Sequence, residues 1–316
     1  MKSVRLRRFW AWPGELRKQG IVGINCRNLD YLFEVNPRSS YRTVDDKILT
    51  KTICREQGIP VPETYAIVRR FGDVAGLAAM IGQREEFVVK PAGGSGGRGV
   101  LVIVGRNDGS FRTATGTAIS LAELQYHVST ILSGLYSLAG QCDRAIVEQR
   151  IVPHPVFEKF SVEGTPDIRL IMYRGLPVIA MLRLPTDMSK GRANLHQGAV
   201  AAGIDLGTGE TFGGVYLDRA VSIHPNTGAP IGGLQIPDWP RMVEIATSLS
   251  KAIRMGYIGI DIMLDVDQGP IVLEVNARPG LSVQIANRAG LLPMLEAIEV
   301  KSCADLPAEC PILADG

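Results

Sequence analysis

Asp261, Glu274 and Asn276 are the side chains best suited to chemistry in this sequence, because they interrupt a stretch that is otherwise apolar. Two hydrophobic runs, 258–264 and 271–275, flank the turn-forming Asp-Val-Asp-Gln-Gly-Pro at 265–270, a pattern that predicts a β-hairpin. Glu274 and Asn276 lie two apart and so share one face of their strand. With Asp265 paired to Pro270, antiparallel counting sets Asp261 opposite Glu274, and the three oxygens converge on one patch. Two carboxylates and a carboxamide, with no Cys or His among them, suit a hard divalent cation, Mg2+ or Mn2+. The plain alternative is a half-buried hairpin whose polar residues face water. Against it stands the cost, on the order of several kcal/mol, of burying an unpaired carboxylate between isoleucines.

A second constellation begins at Lys90, on the predicted strand Phe87-Val-Val-Lys-Pro91. It is followed by Ala92-Gly-Gly-Ser-Gly-Gly-Arg-Gly99 and a second strand over 100–104. Gly94, Gly96 and Gly99 match the dinucleotide fingerprint G-x-G-x-x-G, but that fingerprint needs a helix where Val-Leu-Val-Ile-Val stands here. A Walker loop needs Gly-Lys-Ser/Thr, and a protein-kinase loop precedes its lysine; neither fits. A strand, a glycine flap and a strand remain. Such a flap can close over a triphosphate, with backbone N–H groups of Gly94, Ser95, Gly96 and Gly97 as donors and Lys90 as a point charge. A mobile hairpin turn is the alternative, but five glycines exceed what a turn requires. Lys47, Arg169, Arg183 and Arg192 are candidate phosphate or carboxylate partners. Arg169 and Arg183 stand in apolar strand contexts, and Asp167 shares a face with Arg169.

The elements that position these groups follow from pattern. Ile48, Leu49 and Ile53, with Gly58 and Pro60 beyond, predict a helix from about Asp45, and a short helix is expected over 74–81. Ser120-Leu-Ala-Glu123 is a capping box opening a helix marked by Leu121, Leu124, Val128, Ile131, Leu132, Leu135 and Leu138. Residues 145–151 read as a strand, and 167–173 and 176–184 as a hairpin turned at Arg174-Gly175. Loops around short strands are expected over 191–233, then helices over 240–255 and 281–298. Strands and helices are mixed rather than alternating, which predicts α+β lobes. Residues 1–40, with Trp10 and Trp12, show no clear period and suggest an anchored arm or short helix.

Composition sets outer bounds. With 316 residues and 46% hydrophobic content the chain can bury a substantial core in one large domain or two or three lobes. No apolar run reaches the roughly 18 residues of a bilayer span, and no signal-type segment follows Met1, so a cytoplasmic protein is expected. Five scattered cysteines without a Cys-x-x-Cys pair fit reduced thiols. Residues 1–55 carry twelve Lys/Arg against five Asp/Glu, a net +7 within an overall +2; this is read as a solvated face, with no nucleic-acid partner expected.

Together the motifs resemble the ATP-grasp superfamily and, more narrowly, the ribosomal-protein-modifying glutamate ligases and alpha-L-glutamate ligase-like proteins. The resemblance is carried by Asp46-Lys47-Ile-Leu-Thr with Gly58-Ile-Pro-Val-Pro, Val88-Val-Lys90-Pro with the flap, Val147-Glu-Gln-Arg-Ile, Asp167-Ile-Arg169, Arg192-Ala-Asn194, Gly259-Ile-Asp261 and Glu274-Val-Asn276-Ala-Arg-Pro-Gly, in the family's order. It implies an ATP-grasp fold in which two α+β lobes clasp ATP: 43–149 with the flap and 150–300 with the metal site. A short basic segment, 1–42, stands where the family has a Rossmann-like domain, and 301–316 forms a tail. It further implies that Lys47 and Lys90 meet the phosphates, Gln149, Arg150 and Ile151 the adenine, and Asp167 the ribose. Arg192 and Asn194 would also reach the phosphates, and Arg183 the transferred phosphoryl group. Arg169 is the candidate substrate contact, and Asp261, Glu274 and Asn276 hold Mg2+.

The implied activity is ATP-dependent carboxylate–amine ligation through an acyl phosphate, adding glutamate or a related amino acid to a peptide or small amine acceptor. Where residues 1–42 do not close the acceptor side, a second copy of the chain or a partner subunit is expected to. A small-molecule kinase on the same scaffold and a nucleotide-binding module without turnover are the alternatives.

Overall fold

Strand β12 (Tyr257–Asp265) is buried along all nine of its residues. Its near-continuous apolar run makes it fit for the inside of a sheet covered on both faces. It lies between β7 (Asp167–Tyr173) and β13 (Gly269–Asn276). Beyond β7 the antiparallel sheet continues through β8 (Leu176–Leu184), β9 (Val200–Ile204), β10 (Thr211–Tyr216) and β11 (Arg219–Val221). A second antiparallel sheet, of order β1-β6-β2-β3-β4-β5, is built from β1 (Thr64–Val68), β2 (Glu86–Pro91), β3 (Leu101–Asn107), β4 (Ser110–Thr113), β5 (Ala118–Ile119) and β6 (Ala145–Glu148). The structure, a computed structural model, describes residues 12–304 apart from Ser95, Leu138, Ala139, Ser161 and Glu163. Trp10 and the expected tail beyond 304 lie outside the described residues.

Each sheet has its own apolar core. Phe87, Val89, Ile103 and Phe111 of the six-stranded sheet pack with Leu124, Val128 and Ile131 from the helix Leu121–Leu132. The Phe87 and Phe111 rings meet edge to face at 5.6 Å. The capping box forms: Ser120 N donates to Glu123 Oε2 at 2.7 Å and Glu123 N to Ser120 Oγ at 3.2 Å. On the seven-stranded sheet, Met242, Ile245, Ala246, Leu249 and Ile253 make the buried stripe of the helix Trp239–Ile253, at the spacing of one helical face.

Val22, Tyr31, Leu32, Val44, Cys54 and Ile59 join the core of the seven-stranded sheet. The division expected at residue 43 therefore does not follow the packing: the helix Lys47–Glu56 buries its apolar side chains with the second sheet and crosses to the first only at β1. Near the other end, the single helix expected over 281–298 is two, Ser282–Asn287 and Leu292–Ala304. Arg288 is left-handed at φ 50, and Gly290 lies so close to Gly20 that a Cβ there would sit 2.1 Å from the Gly20 carbonyl oxygen. The helix over 74–81 likewise begins as a 3-10 turn, Phe71–Gly76, before Leu77–Ile81.

The β7–β8 hairpin turns at Arg174 (φ 47) and Gly175 (φ 81), as its right-handed strand twist favours. At the β12–β13 turn, Asp265 pairs with Gly269, one residue short of the partner counted from the sequence. Leu273 is then an extra residue on β13, and past this bulge Asp261 faces Glu274 as expected. Asp265 Oδ1 accepts from Asp267 N and Gln268 N, each at 3.0 Å, while its Oδ2 accepts from Val152 N at 2.9 Å. This one carboxylate closes the turn and ties it to the segment joining the two sheets. Asp265→Ala leaves three N–H groups without their charged acceptor and is expected to lower stability by about 2 kcal/mol or more, measured by urea unfolding.

Candidate active site

Because β12 is buried on both faces, Asp261 has no exposure and must be compensated. The neighbouring strands supply the charge. Arg169, its register partner on β7, donates from Nε to Oδ1 and from Nη2 to Oδ2, both at 2.6 Å. Arg183 on β8 donates to Asp261 Oδ2 at 2.8 Å and also makes a fork-to-fork pair with Asp167, its own register partner. Burial works to raise both carboxyls. At Asp261 the charges of Arg169 and Arg183 overcome it and hold the group below the usual carboxylate range, so it stays ionised. At Asp167 burial prevails over Arg183, helped by the nearby Asp261 charge, and pushes the carboxyl up to about 6.

Asp167, expected at a ribose, is engaged at both oxygens by Arg183. Arg183, expected at the transferred phosphoryl group, lies between two carboxylates, and Arg169, the expected substrate contact, is bidentate on Asp261. A carboxylate on a fully buried strand takes the nearest guanidinium groups, and alternating charges across β8, β7 and β12 are the result.

On the six-stranded sheet a second buried group plays the matching part. Glu148 at the end of β6 bonds Lys90 Nζ at 2.5 Å and, on its other oxygen, Lys51 of the helix Lys47–Glu56. Burial would raise Glu148, but Lys90 and Lys51 together hold it below its ordinary value. Lys51, also bonded to Pro62 O at 2.9 Å, is pushed by burial down to about 8 in spite of Glu148. One positive charge is left over on this side of the cleft.

Lys47 joins the two sides. At the first turn of its helix, capped by Asp46 Oδ1 on Ile48 N at 3.0 Å, it donates to Gly94 O at 2.5 Å and stands 4.0 Å from Glu274 Oε2. Burial lowers its pKa. The flap is anchored at its entrance, where Asp143 accepts from Gly93 N, at 3.0 Å on each oxygen, and from Ser137 Oγ at 2.7 Å. At its exit Gly99 is left-handed (φ 73), and a Cβ there would collide with the Tyr136 ring at 2.5 Å. Gly96 and Gly97 are also left-handed, and Gly97 faces the Arg192 side chain, a Cβ there lying 3.7 Å from Arg192 Cγ. Ser95 lies outside the described residues.

Asn194 caps a short 3-10 helix, its Oδ1 accepting from His196 N at 3.1 Å. Gln149 N bonds Glu63 O at 2.8 Å, Arg150 pairs with Glu86 at 2.8 Å, and Ile151 is buried with Met263 and Ile271. Local pattern gave no sign of Lys51, Glu148, Asp143 or the Asp46–Arg144 pair at 2.5 Å. Two neighbouring ammonium groups needing a common anion were the available clue.

Asn276 Nδ2 lies 3.2 Å from Asp261 Oδ2 and 3.5 Å from Glu274 Oε1, so the three side chains meet and the amide hydrogens occupy ground that two carboxylates make favourable for positive charge. The set therefore fits a hard divalent cation. Glu274 and Asn276 are the half-exposed, accessible donors, and Asp261 supports them from behind. With a cation there, the Asn276 amide would turn over to present its oxygen. Among the described residues there is no cluster of three or more His, Cys, Asp or Glu side chains able to hold a metal. Cys26, Cys54 and Cys142 are free thiols. No helix among the described residues is long and apolar enough to cross a membrane.

A family model described as sugar-transfer associated ATP-grasp matches residues 26–300. The chain is 26% identical over 267 residues to a probable alpha-L-glutamate ligase of Haemophilus ducreyi, covering 82% of this chain and 64% of that protein. It is 24% identical over 290 residues to a cyanophycin synthetase of Synechocystis sp., covering 85% of this chain and 31% of that one. The chain thus spans less than two thirds of the length of these relatives. A solved D-alanine–D-alanine ligase from Bacillus anthracis aligns over 85% of this chain and 70% of its own, at 17% identity and a TM-score of 0.46.

Two outcomes test the Glu148 cluster. Glu148→Gln removes the shared anion of two buried ammonium groups and is expected to destabilise by about 3–5 kcal/mol in urea unfolding. For Lys51, a folded pKa of about 8 lies below the unfolded value of about 10.4. Its contribution is therefore full above the unfolded value and lost as pH falls through the folded one, so stability gains from it between about pH 8 and 10. Urea unfolding across that range is expected to show a rise in wild type that flattens in Lys51→Met.

Proposed function

Because the chain belongs to the sugar-transfer associated ATP-grasp family, we propose that it is an ATP-dependent carboxylate–amine ligase that makes an amide bond through an acyl phosphate. The observation that carries this reading is the meeting of Asp261, Glu274 and Asn276 next to Lys47, which itself touches the glycine flap. That arrangement supports a triphosphate lying between the flap and the hairpin. A nucleotide-binding module would have no use for carboxylates on the opposite lobe.

In this reading Lys47 and Lys90 hold the phosphates from one side, with the flap N–H groups over them and Arg192 across from Gly97. Glu274 and Asn276, with Asp261 behind, would hold Mg2+, which when bound would neutralise charge on the transferred phosphoryl group. Arg169 and Arg183 act one step removed: they keep Asp261 ionised and fixed, so they are positioning residues. The substrate carboxylate attacks the γ-phosphorus and the bond to the β-phosphate oxygen breaks, releasing ADP. The amine then attacks the acyl carbon, phosphate leaves with the bonding pair, and the amine gives up its proton. Fixed positive groups near the reacting oxygens carry the catalytic effect, and the closed flap keeps water from the acyl phosphate.

The relatives named glutamate ligase and cyanophycin synthetase support an amino acid as one substrate, and the family's association with sugar transfer adds amino sugars to the peptide and small amines as acceptor candidates. With Mg-ATP and such a panel, ADP release is expected only when a carboxylate and an amine are both present, with a matching mass gain on the acceptor. Hydroxylamine should trap a hydroxamate, whereas a kinase acting on a hydroxyl would give none. Glu274→Ala is expected to lose roughly 10²-fold or more in turnover with its unfolding still cooperative; activity at the wild-type level would remove Glu274 from the metal site.

A further inference from the structure

A second cleft, of about 600 Å3, opens next to the hairpin and is lined by Phe33, Asn36, Pro37, Arg38, Tyr41 and Arg278. It adjoins the proposed reaction site along the chain on both sides. Arg278 follows Asn276 by two residues, and the helix Tyr41–Asp45 packs on β13 and leads through Asp46 directly into Lys47.

Its chemistry is unbalanced toward positive charge. The Arg278 guanidinium lies over the Tyr41 ring, 4.3 Å from the centroid. Among the described residues neither Arg38 nor Arg278 has a carboxylate partner, in contrast to Arg169, Arg183, Arg144, Arg150 and Arg174. Behind them Arg27 is buried, its Nη1 bonded to Pro279 O at 2.6 Å and its Nε to Asn28 Oδ1 at 2.8 Å, so it adds a third positive group without an anion. Asn36 is committed to the Tyr257 backbone at both ends of its amide, at 2.7 and 2.8 Å, and serves as wall. The Tyr41 hydroxyl, on a side chain nine-tenths buried, has no hydrogen-bond partner. A folded protein rarely leaves such a donor unpaired without a use for it. Phe33, more than half exposed, and Pro37 add an apolar lip suited to an aliphatic stem.

We propose that this cleft seats a second anionic group, a carboxylate or a phosphate, carried by the substrate that is ligated at the hairpin. Arg38 and Arg278 offer planar forks to it, and the Tyr41 hydroxyl gains an acceptor. The substrate is then a molecule with one anionic group for activation and another for recognition, as in a dicarboxylic amino acid. Naming the bound molecule as substrate rests on the ligase reading; the anion site itself does not.

The test is equilibrium binding, by calorimetry, to the full chain loaded with Mg2+ and a non-hydrolysable ATP analogue. The probes are L-glutamate, succinate, inorganic phosphate and the neutral isostere L-glutamine. At least one anion is expected to bind at least tenfold more tightly than glutamine, and whether the carboxylates or phosphate prevail identifies the source. Arg278→Ala and Arg38→Ala should each weaken that anion about tenfold while leaving the affinity for the nucleotide analogue unchanged. Tyr41→Phe should weaken it several-fold with no loss of thermal stability, since the hydroxyl makes no bond to lose. The proposal is overturned if no anion binds better than glutamine, if the three variants leave anion binding unchanged, or if nucleotide affinity falls with it. Since binding is read without turnover, a chain that binds the anion but ligates nothing would sink the ligase reading alone.

Discussion

A carboxylate with no access to solvent, Asp261, holds two guanidinium groups at once, and the second lobe is arranged around that fact. Removing an ionised carboxylate from water is tolerable only with close, well-directed opposite charge. Here Arg169 and Arg183 come from the adjacent strand and the next one over, so the ion network is also a brace across β8, β7 and β12. Its outer member, Asp167, completes the alternation. What reaches the cleft from this assembly is Glu274 and Asn276, with their backbone set by the bulge at Leu273 and their inner neighbour held in one orientation.

The first lobe solves the converse problem. There a single carboxylate, Glu148, stands between two ammonium groups, and the surplus is positive. Across the cleft a negative hairpin therefore faces a positive strand, and Lys47, on the helix that packs with the hairpin's own sheet, reaches over to the flap. Such opposition draws the lobes together, and in the proposed reading it is where a polyphosphate and a divalent cation would neutralise each other's hosts. The same residues account for both the packing and the chemistry proposed for it.

Much of this was legible in the residues. The glycine flap, both hairpins, the capping box and the pairing of Asp261 with Glu274 all follow from local pattern, because turn chemistry and period-two alternation act over a few residues. The pairing came out right although the starting register was off by one, since the bulge restored it. Arg169 and Arg183 stood out as poorly solvated, but their partners did not. Neither did Glu148 with Lys51 and Lys90, nor Asp143 beneath the flap, because contacts between residues 50 to 97 apart leave no periodic trace. The placement of residues 22–59 against the seven-stranded sheet was hidden for the same reason. Gly20 and Gly290 show it best: each reads as ordinary punctuation until their backbones are seen to touch.

The chain passes between the two sheets twice, and each passage is stitched to the same hairpin. On the first crossing Pro60 O accepts from Val272 N at 2.9 Å; on the second Val152 and His154 bond to Asp265, Val266 and Leu264. Asp261, Glu274 and Asn276 therefore lie on the hairpin that both crossings hold, while the glycine flap belongs to the other sheet.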